Sequence, residues 1–217
     1  YVTLRILGED LSNPDLKRAQ EWILKNGGAI KIPQWGKFYL SVLNVYDWKG
    51  NDALLPEMWK FPKWTPFHPG KYWCHNRMIF LPMSYCFGKK VKAELTPFIQ
   101  DLRKELYTTD YASINWKKAR REACEIDIFH PVNKWYYRLS NITNSYERIY
   151  SKWFRKKSLK YVEDYIDHED IHTRYINIGP VNQAINSICV WHNHGKDSEQ
   201  FQNHVKRWQD YLWIAED

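Results

Sequence analysis

The chain has 217 residues, 44% hydrophobic, 26% charged and 17% aromatic, with only 9 Gly and 10 Pro, a composition that excludes disordered and fibrous proteins. A chain of this length hides roughly 70% of its unfolded surface on folding and needs no disulfide staples. Thirty-two Lys plus Arg against 25 Asp plus Glu leave +7, which favours an anionic surface without choosing among nucleic acid, lipid and acidic protein.

Leu16 to Lys25 carries apolar residues at Leu16, Ala19, Trp22 and Ile23, a helical face with Asn13-Pro14-Asp15 as its start and Gly27-Gly28 as its stop. Trp35 to Tyr46 repeats the pattern through Phe38, Leu40, Val42, Leu43 and Val45, predicting a second helix packed on the first. Pro56, Pro62, Pro66 and Pro69 then forbid a continuous helix. Trp73 to Phe87 is apolar on nearly every side and reads as a buried or lipid-facing helix that ends at Gly88. Helical spacing returns in Pro97 to Tyr107, Lys134 to Arg155, Leu159 to His168, Val181 to Trp191 and Phe201 to Trp213, and no two-residue alternation predicts a strand. The expected class is all-α, with roughly eight helices in a single domain over residues 1–217.

The short basic clusters Arg120-Arg121 and Arg155-Lys156-Lys157 read as solvated surface. Cys74, Cys86, Cys124 and Cys189 form no CxxC pair, so the sequence indicates neither a zinc knuckle nor a disulfide scaffold, and a reducing compartment fits it best. His192-Asn193-His194 and Asp167-His168-Glu169-Asp170 lack the spacing of a preformed metal site and read as polar surroundings. Asn141-Ile142-Thr143 matches a glycosylation acceptor by chance, inside a helical pattern. There is no phosphate loop, nucleophile elbow or helix-turn-helix signature, so nothing specific supports a nucleic-acid partner. No run of 18 apolar residues exists. The chain opens on Tyr1 rather than Met and stops straight after Tyr211-Leu212-Trp213, so both ends read as cut from something longer.

Two local patterns carry possible chemistry. Trp73-Cys74-His75-Asn76-Arg77 sets an imidazole in the most apolar segment, as a hydrogen-bonded core histidine or as an acid, base or polar contact on a cavity wall. Trp35, Phe38 and Tyr39 share one helix face, as core packing or as an aromatic wall for a cationic ligand.

Taken together, Tyr1-Val2-Thr3-Leu4-Arg5-Ile6-Leu7-Gly8, Ile32-Pro33-Gln34-Trp35-Gly36-Lys37, Leu55-Pro56-Glu57-Met58-Trp59, Trp73-Cys74-His75, Leu81-Pro82-Met83-Ser84-Tyr85, Ile178-Gly179-Pro180-Val181-Asn182 and Asp210-Tyr211-Leu212-Trp213-Ile214-Ala215-Glu216-Asp217 resemble the oxidosqualene cyclases, nearest to the cycloartenol- and lanosterol-forming members. The resemblance covers the whole chain in order. It implies an incomplete α/α barrel, the smaller inserted barrel of a triterpene cyclase, with the catalytic barrel and its Asp-Cys-Thr-Ala-Glu motif absent from these residues. The implied reaction converts (3S)-2,3-oxidosqualene to a tetracyclic sterol precursor by a carbocation cascade, with no cofactor and no metal. A non-catalytic, truncated α-helical lipid-binding or interaction module is the competing expectation.

By resemblance, His75 stabilises the late cation or assists the final proton loss, and it favours a sterol precursor over a pentacyclic product. Trp73, Trp35, Phe38, Val181 and Ile178 match the substrate pocket. Asn76 and Phe80 border the channel to it, and both depart from the family's usual Cys and Tyr. The resemblance also implies attachment to one leaflet of the endoplasmic reticulum membrane or a lipid droplet. Met78 to Phe87 with Lys89-Lys90 is the candidate contact.

Overall fold

The computed structural model describes residues 1–66 and 68–212. Its α-helices are α1 (Val2–Ile6), α2 (Pro14–Lys25), α3 (Gln34–Val42), α4 (Cys74–Lys89), α5 (Pro97–Leu106), α6 (Trp116–Ala119), α7 (Lys134–Ile149), α8 (Lys152–His172), α9 (Pro180–His194) and α10 (Glu199–Arg207). The class is all-α: no strand occurs among the described residues. They divide into two compact units, Tyr1–Asp52 with Lys92–Asn141, and Ala53–Val91 with Ile142–Asp217.

In the first unit, α2 starts where the sequence says it should. The Asn13 side chain accepts from the N–H groups of Asp15 and Leu16, with Pro14 at the first helical position, where its missing N–H does no harm. α3 is shorter than the apolar pattern predicts: it ends at Val42, and Asn44 takes a left-handed turn (φ 60°) that sends Val45 and Tyr46 into the core. That core is Ala29, Leu40, Val45, Tyr46, Ile99, Leu102, Leu106 and Tyr107, with Ile23 of α2 against it. Gly28 (φ +66°) lies under the end of α5, and a Cβ there would meet the Leu106 carbonyl oxygen at 2.6 Å. Only glycine satisfies both demands. Buried Lys37 donates to the carbonyls of Ala119, Arg120 and Glu122 at 2.8, 3.2 and 2.7 Å, tying α3 to the turn after α6.

In the second unit, the prolines after Leu55 leave, among the described residues, two 3-10 turns, Pro56–Lys60 and Pro69–Lys71, and no continuous helix. α4 does not end at Gly88. It runs to Lys89, and Lys90 takes the left-handed cap instead (φ 54°, ψ 46°). Gly88 is there for clearance, since a Cβ would meet Leu159 of α8 at 2.9 Å and Pro56 at 3.0 Å.

Met78 to Phe87 proves to be interior over its second half, with Leu81, Pro82, Ser84, Tyr85, Cys86 and Phe87 all buried. Lys89 and Lys90 pair with Glu163 and Glu147 at 3.5 and 2.9 Å. The second half of the candidate membrane-contact segment thus packs as core helix within this unit.

The predicted Lys134–Arg155 helix is two helices. Ser151 caps α8 by accepting from the Phe154 N–H, and α8 then continues without interruption through Leu159–His168 to His172. Arg155, read as part of a solvated basic run, is buried and bridges Glu57 (2.5 Å) and Glu147 (2.6 Å). α10 stops at Arg207, followed by a 3-10 turn at Trp208–Tyr211; Trp213, the predicted end of this element, lies outside the described residues. Among the described residues, no helix is long and apolar enough to cross a membrane.

Candidate functional site

The structure distributes the candidate residues over both units. Trp35 and Phe38 belong to α3 in the first. Phe38 is 1% exposed and packs edge-on against Trp48 and Tyr39, with centroids 5.7 and 5.4 Å apart, whereas Trp35 is half exposed. The shared face therefore does two jobs: Phe38 anchors the helix and Trp35 presents an open indole. A cavity of about 610 Å³ in the same unit is lined by Tyr1, Trp22, Ile32, Tyr39, Leu43 and Cys124.

The other six residues lie in the second unit, at the N-terminal ends of α4 and α9. Trp73 is the residue before α4 and is 67% exposed, and His75 sits in the first turn, also exposed. The expectation of a buried imidazole fails because the apolar residues of this segment come a turn or more later, from Met78 on. The Trp73 and His75 rings nevertheless face each other, 4.4 Å apart and tilted by 36°, and His75 Nδ1 lies 3.3 Å from Cys74 Sγ. An indole and an imidazole thus form one π-rich surface at the helix start. Asn76 is exposed. Phe80 is half-buried between Tyr72 and Trp59, with centroids 6.0 and 6.4 Å apart, and burial pushes the Tyr72 hydroxyl above its ordinary pKa.

Ile178 and Val181, 39% and 41% exposed, flank the start of α9, and Asn182 joins them to α4. Its Oδ1 accepts the Ile178 N–H at 3.1 Å while its Nδ2 donates to the Met78 carbonyl at 3.0 Å.

Behind this junction is a polar cluster that Asp167-His168-Glu169-Asp170 did not advertise. Asp170 is buried and accepts from Asn177 Nδ2 (2.6 Å) and Asn186 Nδ2 (3.1 Å), with His204 Nε2 at 2.9 Å. Glu169 Oε2 accepts from Asn186 Nδ2 at 3.0 Å. Burial raises the Glu169 pKa, against the lowering effect of the Asn186 and Asn182 amides. A cavity of about 520 Å³ opens beside this cluster, lined by Trp59, Arg77, Met78, Tyr161, Tyr165 and Glu169. Asn182, Glu169 and Asp170 were missed because their partners come from three different elements, 4 to 34 residues away and, for Met78, 104 away, at no fixed spacing that a local pattern would show. The one local signal was Pro82, which deprives a carbonyl of its helical donor.

A family model described as squalene-hopene cyclase N-terminal domain matches residues 1–217, the whole chain. The chain belongs to this family, and with it to the α/α-barrel class of helical folds. It is 43% identical over 217 residues to cycloartenol synthase of Dictyostelium discoideum, covering all of this chain and 31% of that protein. Lanosterol synthase of Mus musculus is 44% identical over 217 residues, again over the whole chain and 30% of the relative. Alpha-onocerin synthase LCD of Lycopodium clavatum is 42% identical over 225 residues, covering 29% of its length. The chain thus spans less than a third of the length of the curated relatives it matches.

Proposed function

We propose that this chain forms part of an oxidosqualene cyclase that converts (3S)-2,3-oxidosqualene to a tetracyclic sterol precursor of the cycloartenol or lanosterol type. The observation that carries the reading is the uninterrupted similarity to cycloartenol and lanosterol synthases together with the exposed Trp73–His75 ring pair.

A carbocation cascade needs a dry cavity and electron-rich groups where positive charge develops. The Trp73 indole offers its face to such a cation, worth about 0.5–2 kcal/mol in the absence of water. The His75 imidazole supplies a second electron-rich ring and an acceptor for the departing proton. Val181 and Ile178 give apolar wall in the second unit; in the first, Trp35 gives an indole, with Phe38 holding its helix from behind. Asn76 and Phe80 border the route of entry, with lipid substrate arriving from one membrane leaflet of the endoplasmic reticulum or a lipid droplet. Protonation of the epoxide is assigned to residues outside this chain.

The test is incubation of the full-length protein with oxidosqualene and analysis of the products. The parent should release one tetracyclic product. His75→Ala should still consume the epoxide but divert it to partly cyclised or differently deprotonated triterpenes. An intact parent that leaves oxidosqualene unchanged overturns the proposal, and an unaltered product from His75→Ala removes His75 from it.

A further inference from the structure

Pro82 stands inside α4. It has no N–H, so the carbonyl four residues earlier, that of Met78, loses its intrahelical donor. Left alone, a buried carbonyl of this kind costs about 1–3 kcal/mol and lets the helix bend at that turn. Asn182 fills the vacancy from α9 with the 3.0 Å bond from Nδ2 to the Met78 oxygen. The same amide spends its oxygen on the Ile178 N–H at 3.1 Å. Asn182 is 1% exposed, and its Nδ2 is also 3.4 Å from Glu169 Oε2 and from Asn186 Oδ1, so its orientation is fixed on three sides.

Met78 is one turn beyond His75 on the same face of α4, and Ile178 opens the segment that leads to Val181. One amide therefore sets the position of the turn that carries the Trp73–His75 pair relative to the segment that carries Ile178 and Val181. On the reading that these four residues wall a carbocation pocket, on which this inference rests, we propose that Asn182 is a positioning residue that determines how completely the cascade runs to a single product. It touches no reacting atom. It acts by holding two walls in register, and displacements near 1 Å at such a wall can change competing rates by about 100-fold.

The test is product analysis of the full-length protein carrying Asn182→Ala, with Pro82→Ala/Asn182→Ala as the rescue. Pro82→Ala returns an N–H to the Met78 carbonyl from within α4, so the two substitutions should compensate at that bond. Asn182→Ala is expected to keep consuming oxidosqualene while its by-product share rises about threefold or more. The double variant should recover more than half of the parent's product purity. A general loss of stability would lower turnover without this shift and without this rescue. If Asn182→Ala does not fold, Asn182→Leu takes its place, since it keeps the buried volume and loses the donor to Met78 without adding a charge beside Glu169. A parent product pattern in the folded variant, or no rescue by Pro82→Ala, overturns the role of Asn182 while leaving the cyclase reading intact. A parent that does not turn over oxidosqualene overturns both.

Discussion

Arg155→Met should destabilise the protein by about 3–5 kcal/mol at pH 7, the range for breaking a buried ion pair from one side, and by much less at pH 5. The Arg155 side chain is 5% exposed and lies between Glu57, 0% exposed, and Glu147, 18% exposed. With the guanidinium gone, Glu147 keeps Lys90 at 2.9 Å and some water, so the loss concentrates on Glu57. Left with the Tyr146 hydroxyl as its hydrogen-bond partner and no cation beside it, a buried carboxylate escapes by taking up a proton. From an ordinary pKa near 4.3 that costs about 3.7 kcal/mol at pH 7, at 1.36 kcal/mol per unit, and about 1 kcal/mol at pH 5. The penalty therefore grows as pH rises out of the ordinary carboxylate range. Urea unfolding followed by far-UV circular dichroism at both pH values measures it, with a difference between them of about 2–3 kcal/mol expected. Adding Glu57→Leu should abolish the pH dependence and recover most of the stability, because replacing a buried pair by apolar side chains is often neutral or better. A cost below about 1 kcal/mol, as for surface pairs, or a cost equal at pH 5 and pH 7, would refute the reasoning.

Lys37→Met removes the donor to three backbone carbonyls and should cost about 1–3 kcal/mol in urea unfolding at pH 7. Burial pushes the Lys37 pKa down to about 8, below its value in the unfolded chain, so the unfolded state binds more protons above pH 8. The parent should therefore gain up to about 2 kcal/mol relative to Lys37→Met between pH 8 and 9.5, at 1.36 kcal/mol per unit; parallel profiles would contradict the assignment. Gly28→Ala forces a side chain into a left-handed backbone and against the Leu106 carbonyl, and a loss of about 1–3 kcal/mol is expected from the strain alone, read as a lowered thermal midpoint. An unchanged midpoint would show that the end of α5 yields freely.

What the sequence made legible was local. Asn13-Pro14 marks a helix start through chemistry contained in four residues, and α2 begins there. Gly88 misled as a stop because its lack of a side chain answers a neighbour, Leu159, and not the backbone. The break before α8 had its own signal, the Ser151 cap, hidden by apolar residues that stay in helical phase on either side. Arg155 beside Lys156 and Lys157 gave no sign of its partner Glu57, 98 residues away. The site follows the same division. The ring pair at Trp73 and His75 is close in sequence and was visible. The amide that couples it to Ile178 is 104 residues from the carbonyl it serves, and Pro82 announces only that some donor must come.

The segment joining α8 to α9 shows why such long-range partners matter. Arg174, Tyr175 and Asn177 are all left-handed, with φ of 53°, 64° and 60°, a conformation costing about 1–2 kcal/mol for a residue with a Cβ, less for Asn. Each following group is held from a different direction. The Tyr175 carbonyl accepts from Gln183 Nε2 at 3.1 Å, and the Ile176 carbonyl accepts from the Tyr211 hydroxyl at 2.6 Å. The Asn177 N–H donates to the Thr173 hydroxyl oxygen and its side-chain amide donates to Asp170, while Ile178 gives its N–H to Asn182. Strain persists only where surrounding contacts over-determine it, and a plain turn of seven residues could connect these helices without it. The contacts from α8, α9 and Tyr211 fix Ile178 at one end of the turn, beside the start of α4. Under the proposed function, Ile178 held this way needs no reorganisation when a cation forms next to it, the condition under which electron-rich and apolar groups steer a cascade rather than merely enclose it.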